Sequence, residues 1–181
     1  MKLELSEKEC YFKFMPCFQY QTKISNKIKF CEDVFLATEL SSAKLGYVSI
    51  RPSEHQHREK IILGLNYKEK LMLHCYYEIE EEETGYLFGQ AVWLTHVDSE
   101  TFLTVVKSKG KREIMFEPLN REEEEQSIKG LWLIDSVKTE IGGALHFNEH
   151  FYLKSLCTNK YLTLSKDFKV VNGRKVFSTG L

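Results

Sequence analysis

The stretch HFYLKSLCTNKYLTLS at residues 150–165 contains two short apolar segments separated by a polar turn. Two earlier stretches share this arrangement, AVWLTHVDSETFLTVV at residues 91–106 and DVFLATELSSAKLGYVSI at residues 33–50. A pattern that recurs at a nearly constant spacing is the signature of a fold built from repeated units, so it carries more weight than a local motif. The three stretches therefore decide the fold that we predict.

The three copies agree position by position when they are aligned on their first apolar residue. Side chains two residues apart lie on the same face of a strand, and each copy has two such apolar pairs separated by polar turn residues. Each copy is therefore predicted to be a hairpin with one buried face. The aligned residues are Val34, Leu36, Leu45 and Tyr47, then Val92, Leu94, Leu103 and Val105, then Phe151, Leu153, Leu162 and Leu164.

A third strand is predicted to follow in each unit. These strands are expected at residues 60–63, at residues 113–116, and at either 169–171 or 175–177. The connection after the first of them is either extended or contains a helical turn around Tyr67–Leu73.

A fourth strand is predicted from an aromatic residue with an apolar residue two positions later. The pairs are Tyr77 with Ile79 in the first unit and Trp132 with Ile134 in the second. The third unit reaches Leu181 before such a pair, but Phe12 and Phe14 form one near the N-terminus. We therefore expect this N-terminal strand to complete the third unit; alternatively, it belongs to a preceding domain and the true last strand lies beyond Leu181.

The predicted fold class is all-β, a β-trefoil of three four-strand units whose closure leaves no unpaired edge. Residues 1–27 are expected to form an N-terminal segment with one strand, at about 10–15, that closes the barrel. The trefoil core is expected to span residues 28–181. Its units are predicted at about 28–86, 87–145 and 146–181.

Composition excludes several classes of protein. The formal net charge of the 181-residue chain is −1, which gives no general basis for binding nucleic acid. No apolar run approaches the roughly 20 residues of a membrane span, and the N-terminus has no signal-peptide pattern. The five cysteines include no C-x-x-C pair, as is typical of free thiols in a reducing compartment. We therefore expect a cytoplasmic protein that does not itself span a membrane.

The sequence GQAVWLTHVDSETFLTVV resembles the Gly-x-x-Val-x-Leu-x-His opening of a MIR-type trefoil unit. With GLWLID and GGALHFNEHFYLKSLCTNKYLTLS after it, the sequence is similar to the N-terminal cytosolic domains of inositol-trisphosphate and ryanodine receptors. The opening strands CEDVFLATELSSAKLGYVSI and the segment EKLMLHCYYEI fit the first unit of those domains. The resemblance covers roughly residues 28–165 and implies a non-enzymatic module that works by contact with other domains.

The resemblance does not extend to the inositol-phosphate site of that family. Its ligand-binding trefoil has a Thr-Gly-Arg loop after the third strand of a unit, and only Arg121 matches that loop here. The four glutamates at 122–125 would repel a trisphosphate. We therefore do not expect inositol-trisphosphate binding.

Neither a catalytic residue nor a metal ligand nor a cofactor site is predicted. His55 and His57 lie in a loop sequence, and the spacing of His146 and His150 suits zinc only on a helix. His96 is expected to face inward and make a structural hydrogen bond whose backbone partner fixes its tautomer. The sequence has no glycine-rich phosphate loop and no nucleophile elbow around a serine.

Charged loops are the first class of candidate contact site. A basic run and the matching arginine could hold an anion or an acidic partner, and the acidic runs 78–83 and 122–125 could meet a basic one. Loops 51–60, 107–112 and 117–129 are the expected contact surfaces. The candidate cations are Lys107, Lys109, Lys111, Arg112 and Arg121.

Outward aromatic residues are the second class. Phe35, Trp93 and Tyr152 occupy the same position in the three units, one residue after the first aligned residue, and are expected at the surface. They are either partner-facing or lectin-like. We expect a protein-interaction or regulatory module, partnered by other domains or by subunits of a larger assembly, as in a membrane channel or a cytoskeletal assembly. The alternative is a trefoil that binds an inositol phosphate or a sugar.

Overall fold

The computed structural model of the chain describes residues 11–18, 26–41, 44–52, 59–64, 68–77, 85–108, 110–138, 142–171 and 174–180. Within these ranges the chain forms one sheet of thirteen strands and one short helix, so the predicted all-β class is confirmed. None of the helices in the described ranges is long and apolar enough to cross a membrane.

The strand bounds place the repeated units along the chain. The strands are β1 Phe12–Pro16, β2 Asp33–Ser41, β3 Lys44–Pro52, β4 Glu59–Gly64, β5 Leu71–Cys75, β6 Ala91–His96, β7 Thr101–Ser108, β8 Lys111–Glu117, β9 Leu131–Ser136, β10 Phe151–Ser155, β11 Lys160–Tyr161, β12 Thr163–Val171 and β13 Arg174–Gly180. The helix α1 is Glu124–Ser127, and a single 3₁₀ turn, Ile128–Gly130, leads from it into β9.

Six of the strands pair in a closed ring. Going round it, β1 pairs with β2, β2 with β5, β5 with β6, β6 with β9, β9 with β10, and β10 with β1, all antiparallel. The N-terminal strand holds its place from both sides, because Phe12 lies opposite Thr38 of β2 and also opposite Phe151 of β10. A ring of this kind has no unpaired edge among its own strands.

The other long strands form three hairpins, β3–β4, β7–β8 and β12–β13. Strand β4 connects them, because Lys60 lies opposite Met115 of β8 and Leu63 lies opposite Phe177 of β13. The hairpins therefore meet one another as well as the ring.

One cluster of buried side chains fills the ring. Alternation along each ring strand directs every second side chain inward, and the aromatic rings of Phe14 and Phe151 lie 4.5 Å apart between centroids. The sequence repeat predicted most of the residues in this cluster correctly. The aligned residues that it contains are Val34, Leu36, Val92, Leu94, Leu103, Val105, Phe151, Leu153 and Leu162, together with Phe12, Phe14, Trp132 and Ile134. Leu45 and Tyr47 are only half-buried, and the side chain of Leu164 lies outside the described residues.

One local prediction was wrong. The fourth strand of the first unit is Leu71–Cys75, not the strand predicted around Tyr77 and Ile79. Leu71 and Leu73 are buried there, whereas 73% of Tyr77 is exposed beyond the end of the strand. Of the two forms left open for the connection before this strand, residues 68–73 adopt the extended one, being coil and then strand. A short helix forms instead in the equivalent connection of the second unit, as α1.

Candidate functional site

Trp93 is buried, so the prediction that it is a surface aromatic was wrong. Only 6% of the residue is exposed, although it does not belong to the core cluster. Its indole Nε1 donates to the carbonyl oxygen of Ser127 at 3.2 Å, and the guanidinium carbon of Arg121 lies 5.6 Å from its ring centroid. The ring does lie outside the core, but the connection between β8 and β9 covers it.

The connection packs this closely because of its own polar contacts and one glycine. Asn120 accepts from the N–H of Glu122 at 3.1 Å and donates from Nδ2 to Glu123 at 3.2 Å, which organises the turn before α1. A Cβ on Gly130 would lie 2.8 Å from Cδ2 of Leu119 and 3.3 Å from Cδ1 of Trp93. A side chain at Gly130 would therefore push the end of Leu119 aside and press on the indole of Trp93.

Two tyrosines extend from the buried indole into solvent. The ring of Tyr76 lies 5.4 Å from that of Trp93, and the ring of Tyr77 lies 4.7 Å from that of Tyr76, both in edge-on geometry. The backbone N–H of Tyr76 donates to Ala91 at 3.0 Å, which fixes this end of β5. Tyr76 is 43% exposed and Tyr77 73% exposed. We call Tyr76, Tyr77, Trp93, Arg121 and the exposed Ile128 the Trp93 surface.

At the Trp93 surface one cation is held against aromatic rings, whereas the carboxylates next to it in the sequence are exposed. The guanidinium of Arg121 also lies 5.8 Å from the ring of Phe102, so two aromatic rings hold this cation. The four residues that follow it, Glu122–Glu125, are all exposed. Burial lowers the pKa of His74, which lies opposite Trp93 on β5, and the positive charge of Arg121 lowers it further.

The aromatics at the same position in the other two units are half-buried rather than free. The ammonium of Lys68 lies over Phe35 at 5.5 Å from its centroid, and the ring of Tyr47 lies 6.3 Å away. Tyr152 packs between Tyr11 at 4.9 Å and Tyr161 at 5.3 Å. In all three units, side chains from other strands or connections partly cover the outward aromatic residue.

The predicted basic residues divide into two places. Lys107 and Arg112 lie opposite each other on the β7–β8 hairpin and are exposed, near the tip at Gly110, whose φ is +77°. Lys109 and the side chain of Lys111 lie outside the described residues. Arg121 is instead held on the aromatic rings, so the structure joins one candidate cation with one candidate aromatic, a pairing that sequence reasoning missed.

Glu69, His96 and Asp98 form a cluster whose ligand atoms lie within 4.8 Å of one another, close enough to consider a metal. The backbone N–H of Ser99 donates to Nδ1 of His96 at 3.2 Å, so the ring proton is on Nε2, 3.4 Å from the Glu69 carboxylate. Binding a metal at that nitrogen would require this proton to leave. The structural hydrogen bond predicted for His96 is confirmed, with the backbone of Ser99 as its partner.

His146 and His150 do not converge on one site. His146 contacts Glu149 at 3.2 Å, whereas His150 contacts Glu39 at 3.2 Å, so these two have separate partners. His55 and His57 lie outside the described residues.

Comparison with known proteins identifies the family. The family model of the MIR domain matches residues 85–176, just over half of the sequence. The chain belongs to the MIR domain family. The resemblance to a MIR-type domain is therefore confirmed, and the matched part of this MIR domain protein includes Trp93 and Arg121.

Among solved structures, this MIR domain protein is similar to a Caenorhabditis elegans protein of unknown function from a structural genomics project. The sequences are 13% identical, the TM-score is 0.44, and the similarity covers 97% of this chain and 98% of that one. No curated protein matches the sequence.

Proposed function

We propose that this MIR domain protein is a non-enzymatic β-trefoil module that docks other proteins, similar in role to the N-terminal domain of intracellular calcium-release channels. One observation carries the proposal. Tyr76 and Tyr77 extend into solvent from an indole that Arg121 and Ser127 hold in place. The partners would be other domains or subunits of a larger cytoplasmic assembly.

The strand pairing supports the β-trefoil part of the proposal. A trefoil consists of a six-stranded barrel closed at one end by three hairpins, one from each four-strand unit. The closed ring β1–β2–β5–β6–β9–β10 and the three interconnected hairpins have that arrangement. On this assignment β1 is the fourth strand of the third unit.

The composition of the Trp93 surface supports protein docking. Tyrosine, tryptophan and arginine are the residues most enriched at the energetic centres of interfaces. The edge-on contact with Trp93 limits the freedom of Tyr76 before any partner arrives, so less of its side-chain entropy would be lost on binding. An exposed apolar ring such as Tyr77 gains by being covered.

Inositol trisphosphate is a poor fit to the same surface. Arg121 is the one residue that matches the family's phosphate-binding loop, and its guanidinium lies over Trp93 and Phe102. The exposed glutamates 122–125 would add repulsion for any polyphosphate. Nucleic acid is disfavoured for the same reason.

The experiment is site-specific photo-crosslinking of the full chain in cells, with a photoreactive phenylalanine analogue at Tyr77 or, as the control, at Tyr161. Proteins captured at position 77 but not at position 161 are purified, and their affinity for the chain is measured. Because truncation at an interface centre costs about 2 kcal/mol or more, we expect Tyr77→Ala and Arg121→Ala to weaken binding at least about tenfold. Capture equal at both positions, or unchanged affinity for the variants, would refute the proposal.

A second candidate function rests on Tyr161. Its hydroxyl donates to Asp135 at 2.8 Å and its ring lies 5.3 Å from that of Tyr152, an aromatic residue beside a carboxylate as sugar sites require. The ammonium of Lys154, however, lies over the same ring, 5.6 Å from its centroid, and obstructs the face on which a sugar would stack. The protein-docking proposal is therefore favoured. Titration with simple sugars and inositol phosphates decides: saturable binding abolished by Tyr161→Ala would favour the ligand-binding trefoil.

A further inference from the structure

We infer that the partner contributes a segment rich in arginine, which lies across the exposed tyrosines of the Trp93 surface and along Glu122–Glu125. The inference rests on the proposed function, since it specifies the chemistry of the partner at that same surface.

The first argument is uncompensated charge. Glu122, Glu124 and Glu125 are exposed, and in the part of the chain that the structure describes none of them forms an ion pair. The adjacent cation, Arg121, is stacked on aromatic rings instead. A partner with positive charge would be steered towards this surface, and an acidic partner would be repelled.

The second argument is that the acidic segment is held in one conformation. The carboxylate of Glu123 accepts from the side-chain amides of Asn120 and Gln126, and its carbonyl accepts from the backbone N–H of Ser127 at 2.8 Å. The carbonyl of Ser127 in turn accepts from Trp93. The other three glutamates are therefore carried by a backbone that is fixed to the aromatic surface.

The third argument is that two aromatic rings at this surface, Trp93 and Phe102, already hold a guanidinium. Arg121 lies at 5.6 and 5.8 Å from two ring centroids, within the range of a cation–π contact. Arginine stacks on aromatic rings better than lysine does, because its guanidinium is planar and weakly hydrated. Tyr77, at 73% exposure, leaves most of its ring available to a guanidinium of the partner.

A buried hydroxyl adds an independent observation. Thr95 lies two residues after Trp93, hence on the same face of β6, and opposite Phe102 of β7. It is 9% exposed, and its Oγ1 has no hydrogen-bond partner among the described residues. An unsatisfied buried oxygen is costly, so the face of β6 beneath this surface has an unmet demand for a hydrogen-bond donor.

The test is titration of the purified full chain with three peptides, of eight arginines, eight lysines and eight glutamates. The decisive variant reverses three charges, E122K/E124K/E125K. Its matched control, D98K/E100K/E113K, reverses three exposed charges elsewhere and changes the net charge equally. A second pair, Tyr77→Ala and Tyr161→Ala, separates the aromatic contribution, and melting curves confirm that each variant is folded.

We expect the arginine peptide to bind more tightly than the lysine peptide, and the glutamate peptide not to bind. The dissociation constant for the arginine peptide should rise at least about tenfold in the first triple variant and about fivefold in Tyr77→Ala, and less than about twofold in the controls. Equal losses in the two triple variants would reveal non-specific attraction and overturn the inference, as would tighter binding of the glutamate peptide.

The two proposals can fail separately. A partner captured at Tyr77 whose affinity is unaffected by E122K/E124K/E125K would overturn the arginine-rich segment and leave the docking function standing. Failure to capture a partner at Tyr77 would overturn the docking function itself.

Discussion

The guanidinium of Arg121 lies 5.6 Å from the ring centroid of Trp93, although 27 residues separate the two along the chain. The contact anchors the connection between β8 and β9 on the outside of the six-stranded ring. Tyr76 packs against the same indole from the end of β5, and the acidic residues follow Arg121 directly in the sequence. With the hydrogen bond from Trp93 to Ser127, this contact holds together the surface on which the proposed function depends.

Replacing Arg121 by alanine tests this contact. We expect Arg121→Ala to lower the free energy of unfolding by about 0.5–1 kcal/mol, the usual size of a cation–π contact at an exposed site. Urea denaturation gives the value. The control is Arg112→Ala, which removes an exposed arginine from the β7–β8 hairpin and should change the free energy by less than about 0.5 kcal/mol. Equal effects of the two substitutions would contradict the anchoring role.

The place of β1 in the ring is tested by shortening Phe14. This residue is fully buried against Phe151, so Phe14→Ala should lower the free energy of unfolding by about 3–5 kcal/mol. The control is Phe18→Ala, in the same segment, where the side chain is 43% exposed and the loss should be below about 1 kcal/mol. If both phenylalanines proved equally dispensable, β1 would not be part of the closed ring in solution.

Acid should remove one link between β1 and β2. The hydrogen bond from Lys13 to Glu39 lowers the pKa of the Glu39 carboxyl below its ordinary value of 4.5. A lowered folded-state pKa gives stability that is present above the unfolded-state value and is lost as the pH falls through the folded-state value. Wild type should therefore exceed Glu39→Gln in stability by less than about 1 kcal/mol near neutral pH, since the pair is partly exposed. Once the pH falls below 4.5 and Glu39 takes up its proton, the gap in urea midpoints should close; a gap that stayed the same there would show that the charge of Glu39 is not stabilising.

The thiols should differ in reactivity according to burial. Burial raises the pKa of Cys75 to about 11, and burial with the charge of Asp33 raises that of Cys17 to about 12. Only the thiolate reacts with iodoacetamide. At pH 8 the exposed Cys31 and Cys157 should therefore be alkylated at least about tenfold faster than Cys17 and Cys75. Peptide mass spectrometry over time measures each site. Alkylation of Cys75 as fast as Cys157 would mean that β5 opens readily.

The repeat predicted the fold class and most of the core because burial of alternate side chains is a local property of each strand. It could not locate the end of β5, since Leu71, Leu73, Cys75, Tyr77 and Ile79 continue the same alternation without a break. Pairing with β6 decides the matter: Cys75 lies opposite Val92, and Tyr77 lies beyond the last pair.

The candidate site was less predictable for a related reason. Alternation correctly placed Trp93 outside the core, but burial of that face depends on a connection almost thirty residues later in the chain. The local pattern of β6 contains no sign of that connection. The one available signal was Gly130, a glycine directly before a strand, where a close approach of backbone to another group is a common cause.

The central claim is that the Trp93 surface is covered by another protein in the native assembly. Hydroxyl-radical footprinting tests it directly, by comparing the oxidation rate of Tyr77 in the purified chain with its rate in the assembly isolated from cells. Because Tyr77 is 73% exposed in the chain alone, we expect its oxidation to slow at least about fivefold in the assembly while that of Tyr161 changes little. Oxidation of Tyr77 at the same rate in both samples would contradict the account.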